Sequence, residues 1–285
     1  MKISTSLLLA TGIIFVSGCT KPKPTHTEAL HLHLIKEQKA SQKIDKKIIV
    51  LQPSITMLDT KDAQRMDLQS QLVRLKEGII GGNYDFNKAY KYKYGATEGS
   101  ALKEDLTTIL RNEGFEVIDE YQTYDDIDYS VRKSAYLIIK PEIKAAFITS
   151  NVKKEKSGDT ITEHGLVRVI GTISLVSMEP LSKERISTKK IDLSKMQLEK
   201  PYTSIRKVDT HYSYASAFAI GQSLGKMTAN AIFGSSEIDN TQNTLVSMVN
   251  AIHAYAIKKI KPRLQKEDIL SYENDIKEIK SKKRY

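Results

Sequence analysis

Tyr136-Leu-Ile-Ile-Lys-Pro-Glu-Ile-Lys-Ala-Ala-Phe147 is the stretch on which the fold turns. Its apolar, β-branched residues run too long for a turn and carry no helical stripe, so it reads as a long strand. Pro141 cannot donate to a ladder, which places it at an edge or a bulge. Downstream, Asn151-Val-Lys-Lys-Glu-Lys-Ser-Gly-Asp159 ends in turn chemistry, and Leu166 to Val176 alternates Val167, Val169, Ile173 and Leu175 with Arg168, Thr172 and Ser174. That is a hairpin with a lysine-rich tip. Glu179-Pro-Leu-Ser182 turns the chain again, and Arg185 to Ile191 supplies the third strand of an antiparallel meander.

Upstream, Lys47-Ile-Ile-Val-Leu-Gln-Pro53 is a short apolar run stopped by proline, as expected of a buried central strand. Asp59 to Leu75 has helical spacing, broken at Gly78 to Gly82. Ser100 is placed to cap a helix with Leu102, Leu106, Ile109 and Leu110 as its apolar stripe, Glu104 and Asp105 near its positive end, and Gly114 as its C-cap. Phe115 to Ile118 follows as a strand. Leu30, Leu32 and Leu34 alternate and suggest another. Towards the C-terminus, Ala215 to Phe233 and Gln242 to Ile260 read as helices, the second ended by Pro262. Glu267 to Lys283 places Ile269, Tyr272, Ile276 and Ile279 on one stripe of a charged helix that needs a partner surface. The expected class is α/β (α+β): a mixed β-sheet with a central antiparallel meander, helices packed on it, and a C-terminal helical tail.

The first residues concern location. Lys2, the apolar run Leu7 to Val16, and Val16-Ser-Gly-Cys19 form a charged start, a short hydrophobic core and small residues before a cut site, the pattern of a secretory signal. The run is too short to span a bilayer, which takes about 20 apolar residues. Cys19 is the only cysteine of the chain, and its place resembles the bacterial lipobox, in which a thiol takes a diacylglycerol, with palmitate as the expected further acyl group. Thr20, rather than Asp, after that cysteine points to the outer membrane. The expected division is a signal peptide at 1–18, an acylated Cys19 with a tether at 19–45, one α/β domain at 46–265 and a charged helix at 266–285.

Removing residues 1–18 leaves 267 residues and lowers the formal net charge from +10 to +9, since only Lys2 is lost. Such a balance favours anionic partners, namely lipid head groups or acidic glycans, with nucleic acid disfavoured by export. With Cys19 acylated there is no disulfide to form, and no covalent help for the core beyond burial.

Chemistry-bearing residues are sparse. Tyr90, Tyr92 and Tyr94 fall on one face of a strand, with Lys91 and Lys93 on the other, and form a candidate aromatic platform or a core-covering face. His26, His31 and His33 lack further ligands for a metal, and Asp125, Asp126 and Asp128 lack calcium-loop spacing, so no metal is expected. There is no phosphate loop, no His-Glu-x-x-His and no Gly-x-Ser-x-Gly, and a triad through His211 is not singled out. The expectation is a protein that is not an enzyme and has no cofactor besides the covalent lipid.

Several segments, in order, carry a resemblance: Lys47 to Pro53; Ala101-Leu-Lys with Ile109 to Ile118; Glu179 to Ser182; Ile191-Asp-Leu-Ser194; and Leu264-Gln-Lys with Leu270-Ser-Tyr through Lys283. With them the chain resembles the Helicobacter neuraminyllactose-binding hemagglutinin family of flagellar-sheath adhesin lipoproteins. The resemblance implies an outer-membrane or flagellar-sheath lipoprotein, an adhesin that binds sialylated glycans through a basic run after the long central strand. Here the corresponding place is Lys153, Lys154 and Lys156, interrupted by Glu155, as in a divergent paralogue. The alternative is a structural or assembly lipoprotein whose tail, 266–285, docks another sheath or envelope protein.

Overall fold

The computed structural model describes residues 28–59, 84–207 and 238–282. Among these, seven strands form one mixed sheet: β1 (Ile44–Val50), β2 (Ser54–Met57), β3 (Phe115–Ile118), β4 (Leu137–Ser157), β5 (Thr160–Met178), β6 (Arg185–Asp192) and β7 (Glu199–Lys207). The backbone order is β3-β1-β4-β5-β6, with β2 also beside β4 and β7 also beside β5. β1 runs parallel to both β3 and β4, whereas β4, β5 and β6 form the expected meander.

β4 is the spine. At 21 residues it exceeds the expected strand and continues through the lysine run to the turn. Its far edge is covered first by β1, opposite Leu137 to Ile139, and then by β2, opposite Glu142 to Ala145. Pro141 sits at the junction. The Ile139 carbonyl accepts from Leu51 N on that edge, and the alternation of a strand turns the Pro141 nitrogen the same way, into the gap between β1 and β2. After β2 ends, the Asn87 side chain takes over as a surrogate strand: Phe147 N donates to its Oδ1 (2.7 Å) and its Nδ2 donates to Phe147 O (2.9 Å).

Gly171 marks where the two long strands cross most closely. Its φ is 137°, and a Cβ there would lie 2.0 Å from the Lys144 carbonyl oxygen. Only glycine fits both demands.

Two long helices, α2 (Gly95–Asn112) and α4 (Thr241–Ile260), pack against each other and cover one sheet face. Leu102, Leu106, Ile109 and Leu110 of α2 and Leu245, Met248, Val249, Ile252 and Ile260 of α4 are buried with Ile48, Ile139, Ile143, Phe147 and Ile173 of the sheet. Each such side chain contributes roughly 1.5–3 kcal/mol by leaving water. On the other face, Ile49, Leu51 and Ile138 pack with Ile127 and Ala135, around the short helix α3 (Tyr129–Ser134).

Ser100 does not open a helix. α2 is already under way there, preceded by α1 (Phe86–Ala89) and a single π turn (Tyr90–Tyr94) in unbroken succession. Asp85 caps this run by accepting from Lys88 N. The residues Leu30, Leu32 and Leu34 form no strand: residues 28–40 are extended chain laid on the helices, with Leu32 buried. From Glu28 onward, the stretch expected to be a free tether is therefore part of the packed domain. The tail also differs from the single docking helix expected. It forms α5 (Lys266–Leu270) and α6 (Glu273–Lys282), and Ile269, Tyr272 and Ile276 are buried in the domain's own core. Its partner surface is intramolecular. The expected helix at 215–233 and all but Asp59 of the one at 59–75 lie outside the described residues, as does Cys19.

Candidate functional site

The lysine run lies where β4, β5 and β7 reach their common end. Ser157 pairs with Thr160 across the two-residue turn, and Gly158 takes a φ of 62° there, the conformation a tight hairpin requires of its first turn residue. Thr160 pairs in turn with Lys207 of β7, so three strands finish together. β7 was not foreseen. Pro201 and the charged ends, Glu199-Lys200 and Arg206-Lys207, mask its alternation, but Tyr202 and Ser204 point inward at period two.

Register sorts the lysines by face. Lys154 lies opposite Glu163, and Glu163 opposite Ser204; Lys156 lies opposite Ile161, and Ile161 opposite Arg206. Lys154, Lys156 and Arg206 therefore share one face, because directly paired residues point the same way. Lys153, opposite His164, and Lys207, opposite Thr160, take the other. Lys154 is also not free. Its Nζ stands 3.3 Å from Glu163, which is fully buried and accepts from the Tyr202 hydroxyl at 2.8 Å. Burial, followed by the hydrogen bond to Glu163, pushes the Tyr202 phenol well above its ordinary range. The Tyr202 ring lies over Gly165, where a Cβ would come within 2.7 Å of it. Lys153, Lys156, Arg206 and Lys207 are exposed. Arg206 and Lys207 are thus members of a basic strand end that the linear run Lys153 to Lys156 did not reveal.

The tyrosines do not form a platform. Because the segment is helical, Tyr90 and Tyr94 turn inward and are buried, while Tyr92 is 72% exposed on the opposite side. Tyr90 donates to Glu98, with its ring 5.2 Å from that of Phe147. Glu98 is itself buried, and desolvation raises its pKa from 4.5 to about 7, despite the Tyr90 hydrogen bond and the nearby His253. One helical face thus carries Tyr90, Glu98 and Asp105. Asp105 accepts from His253 Nε2 of α4 at 2.9 Å and from the backbone of Leu34 and Ile35. This interior network joins α2, α4 and the N-terminal segment.

The remaining candidates are structural. His33 pairs with Glu104 at the surface, Asp125 with Lys183, and Asp126 accepts from Thr123. Among the described residues, no three His, Cys, Asp or Glu side chains gather as a metal ion would require. No helix among them is long and apolar enough to cross a membrane. His26 and His211 lie outside the described residues.

The described residues thus form a mixed α/β domain with a long basic hairpin, two helices on one sheet face and a strapped N-terminal segment. Residues 76–283 match the family model described as neuraminyllactose-binding hemagglutinin precursor, and the chain belongs to that family. Relatives named neuraminyllactose-binding hemagglutinin, from Helicobacter pylori, are 23% identical over 97% of this chain and 94% of their own, and 22% identical over 96% and 92%. Those names are of binding proteins, not enzymes. A crystal structure of a neuraminyllactose-binding hemagglutinin homolog from Helicobacter pylori superposes with a TM-score of 0.51 at 16% identity, covering 86% of this chain and all of that one. The fold is shared.

Proposed function

We propose that this chain is a lipid-anchored binding protein of the outer membrane or flagellar sheath that engages sialylated glycans through the basic end of β4, β5 and β7. The carrying observation is the exposed basic end that two strands on either side of β5 form, with Lys156 and Arg206 together on one face and Lys153 and Lys207 on the other. A sialic-acid carboxylate accepts charge-assisted hydrogen bonds from such donors. Each exposed pair contributes only ~0–1 kcal/mol, so several must act together and binding is weak and salt-sensitive. The names of the relatives support the ligand class. The anchor is the lipid on Cys19, whose acyl chains each contribute about 0.8 kcal/mol per buried CH2. The alternative, a scaffold that docks a partner through 266–285, is less supported, since among the described residues Ile269, Tyr272 and Ile276 are already covered by the domain itself.

A glycan array probed with the mature chain tests the ligand: preference for sialylated over neutral glycans, fading as salt rises, is expected. Equal signal on both would sink the glycan reading. Metabolic labelling with a palmitate analogue tests the anchor separately: label on the native chain and none on Cys19→Ser is expected.

A further inference from the structure

The N-terminal segment is held in a way that fixes where the anchor leaves the domain. Glu28 N donates to Asn243 Oδ1, in the first turn of α4, at 3.2 Å. Asn250 grips the backbone on both sides, accepting from His31 N (2.8 Å) and donating to Ala29 O (2.9 Å). Asp105 accepts from Leu34 N and Ile35 N, and Asn112 repeats the two-sided grip on Gln38 N (2.7 Å) and Lys36 O (2.9 Å). Leu32 is buried between these clasps. Residues 28–38 are thus a strap that runs along α4 from its start and along α2 to its end. Four side chains, two from each helix, hold its backbone.

The start of α4 lies at the basic end of the sheet. Asn240 exchanges two hydrogen bonds with Thr203, its N donating to Thr203 O (3.1 Å) and its Oδ1 accepting from Thr203 N (2.7 Å), and Asp239 accepts from Ile205 N. Thr203 pairs with His164, and His164 with Lys153. From that row the hairpin continues about five residues to its turn, roughly 17 Å at the rise of a strand. The strap therefore emerges, at Glu28, on the side of the domain from which the basic hairpin projects.

We infer that the basic hairpin end is apposed to the leaflet that holds the anchor and docks on its anionic lipid phosphates. This rests on the acylation of Cys19 proposed above and not on glycan binding, with which it competes for the same cations: a hairpin docked on its own leaflet does not hold a glycan at the same time. Eight residues lie between Cys19 and Glu28, nine Cα–Cα steps with a reach of at most about 30 Å. α4 alone is about 30 Å long at 1.5 Å per residue, so turning the far end to the membrane would require a fully extended tether laid back along the helix. Turning the hairpin to the membrane requires no such extension. Exposed Lys153, Lys156, Arg206 and Lys207 then enter the head-group layer, opposed only by Glu155 and Asp159 among exposed acids of the hairpin. Arginine and lysine side chains near an anionic surface are attracted to its phosphates, each adding to the docking.

The test couples a maleimide lipid to Cys19 of the mature chain, so that anchoring does not depend on natural acylation. The protein is placed on vesicles of phosphatidylglycerol and phosphatidylcholine in equal parts, or of phosphatidylcholine alone. A brief acetylation pulse read by mass spectrometry then reports each lysine. On the anionic vesicles Lys153, Lys156 and Lys207 should react several-fold more slowly than in solution, with Lys261 and Lys266, at the far end, unchanged. Equal slowing at both ends, or protection of Lys261 and Lys266 instead, overturns the inference. So does a hairpin that stays reactive on both vesicles and is protected only by added sialyllactose, an outcome that leaves the glycan reading standing.

Discussion

His253 Nε2 lies 2.9 Å from the Asp105 carboxylate, both residues being 1% exposed, and this contact joins α4 to α2 at the point where the strap crosses them. Asp105 serves three donors from two other parts of the chain: Leu34 N, which reaches both carboxylate oxygens, Ile35 N beside it, and His253 Nε2 of α4.

Removing that carboxylate leaves buried donors without an acceptor, which costs far more than the pair itself contributes. Asp105→Ala is expected to lower stability by about 3–5 kcal/mol. Urea denaturation measures this, and the Leu34 and Ile35 amides should lose hydrogen-exchange protection before the core does.

Glu98 makes stability depend on pH. Its carboxyl holds a proton up to about 7 in the fold, against 4.5 ordinarily, because burial penalises the charge. A raised pKa contributes stability that is fully present below 4.5 and is lost as pH rises through about 7. The difference corresponds to about 3 kcal/mol. The urea midpoint should therefore be higher at pH 5 than at pH 8, apart from contributions of other groups. Glu98→Gln, which still offers Tyr90 an acceptor, should flatten that slope and be the more stable protein at pH 8.

Lys154 is expected to behave differently from its neighbours. Lys154→Ala removes an ion-pair partner from the buried Glu163, yet Lys154 is half exposed and solvent screens the pair, so a loss of about 1 kcal/mol is expected. Lys153→Ala and Lys156→Ala should change stability by less than about 0.5 kcal/mol. Thermal denaturation of the three variants separates them, and shows which can be used in binding studies without disturbing the fold.

Gly171→Ala should be among the most damaging single changes. The new Cβ meets the Lys144 carbonyl oxygen at 2.0 Å, and the φ of 137° is one that L residues rarely adopt. A loss of about 3 kcal/mol or more is expected, seen as a fall in Tm or failure to accumulate folded protein.

The meander, the parallel β1, β3 and α4 were legible because each carries its period in the sequence over several residues. The helix of residues 86–112 was only half legible. Tyr90, Tyr92 and Tyr94 satisfy a period of two, but Phe86, Tyr90, Tyr94, Glu98, Leu102, Leu106 and Leu110 recur every four residues, and all seven are buried. A strict spacing of four overshoots the 3.6 of an α-helix, and the π turn at Tyr90–Tyr94 takes up part of the difference. The strap was misread because Leu30, Leu32 and Leu34 alternate as in a strand, whereas polar side chains of distant helices, and no neighbouring strand, hold its backbone. The basic end was legible only for the strand that carries a run of lysines. Arg206 and Lys207 join it through pairing with β5, which no local pattern announces.

The central claim is that cations of this strand end, above all Lys156 and Arg206, which come from two strands and share one face, act on one anionic ligand. Charge reversal tests it most directly: sialyllactose and lactose are titrated against the mature chain and against Lys153→Glu/Lys156→Glu/Arg206→Glu, with folding checked by circular dichroism. The account predicts that sialyllactose binds the native chain more tightly than lactose does and that the folded triple variant loses this difference. A folded variant that retains the full preference for sialyllactose would contradict it.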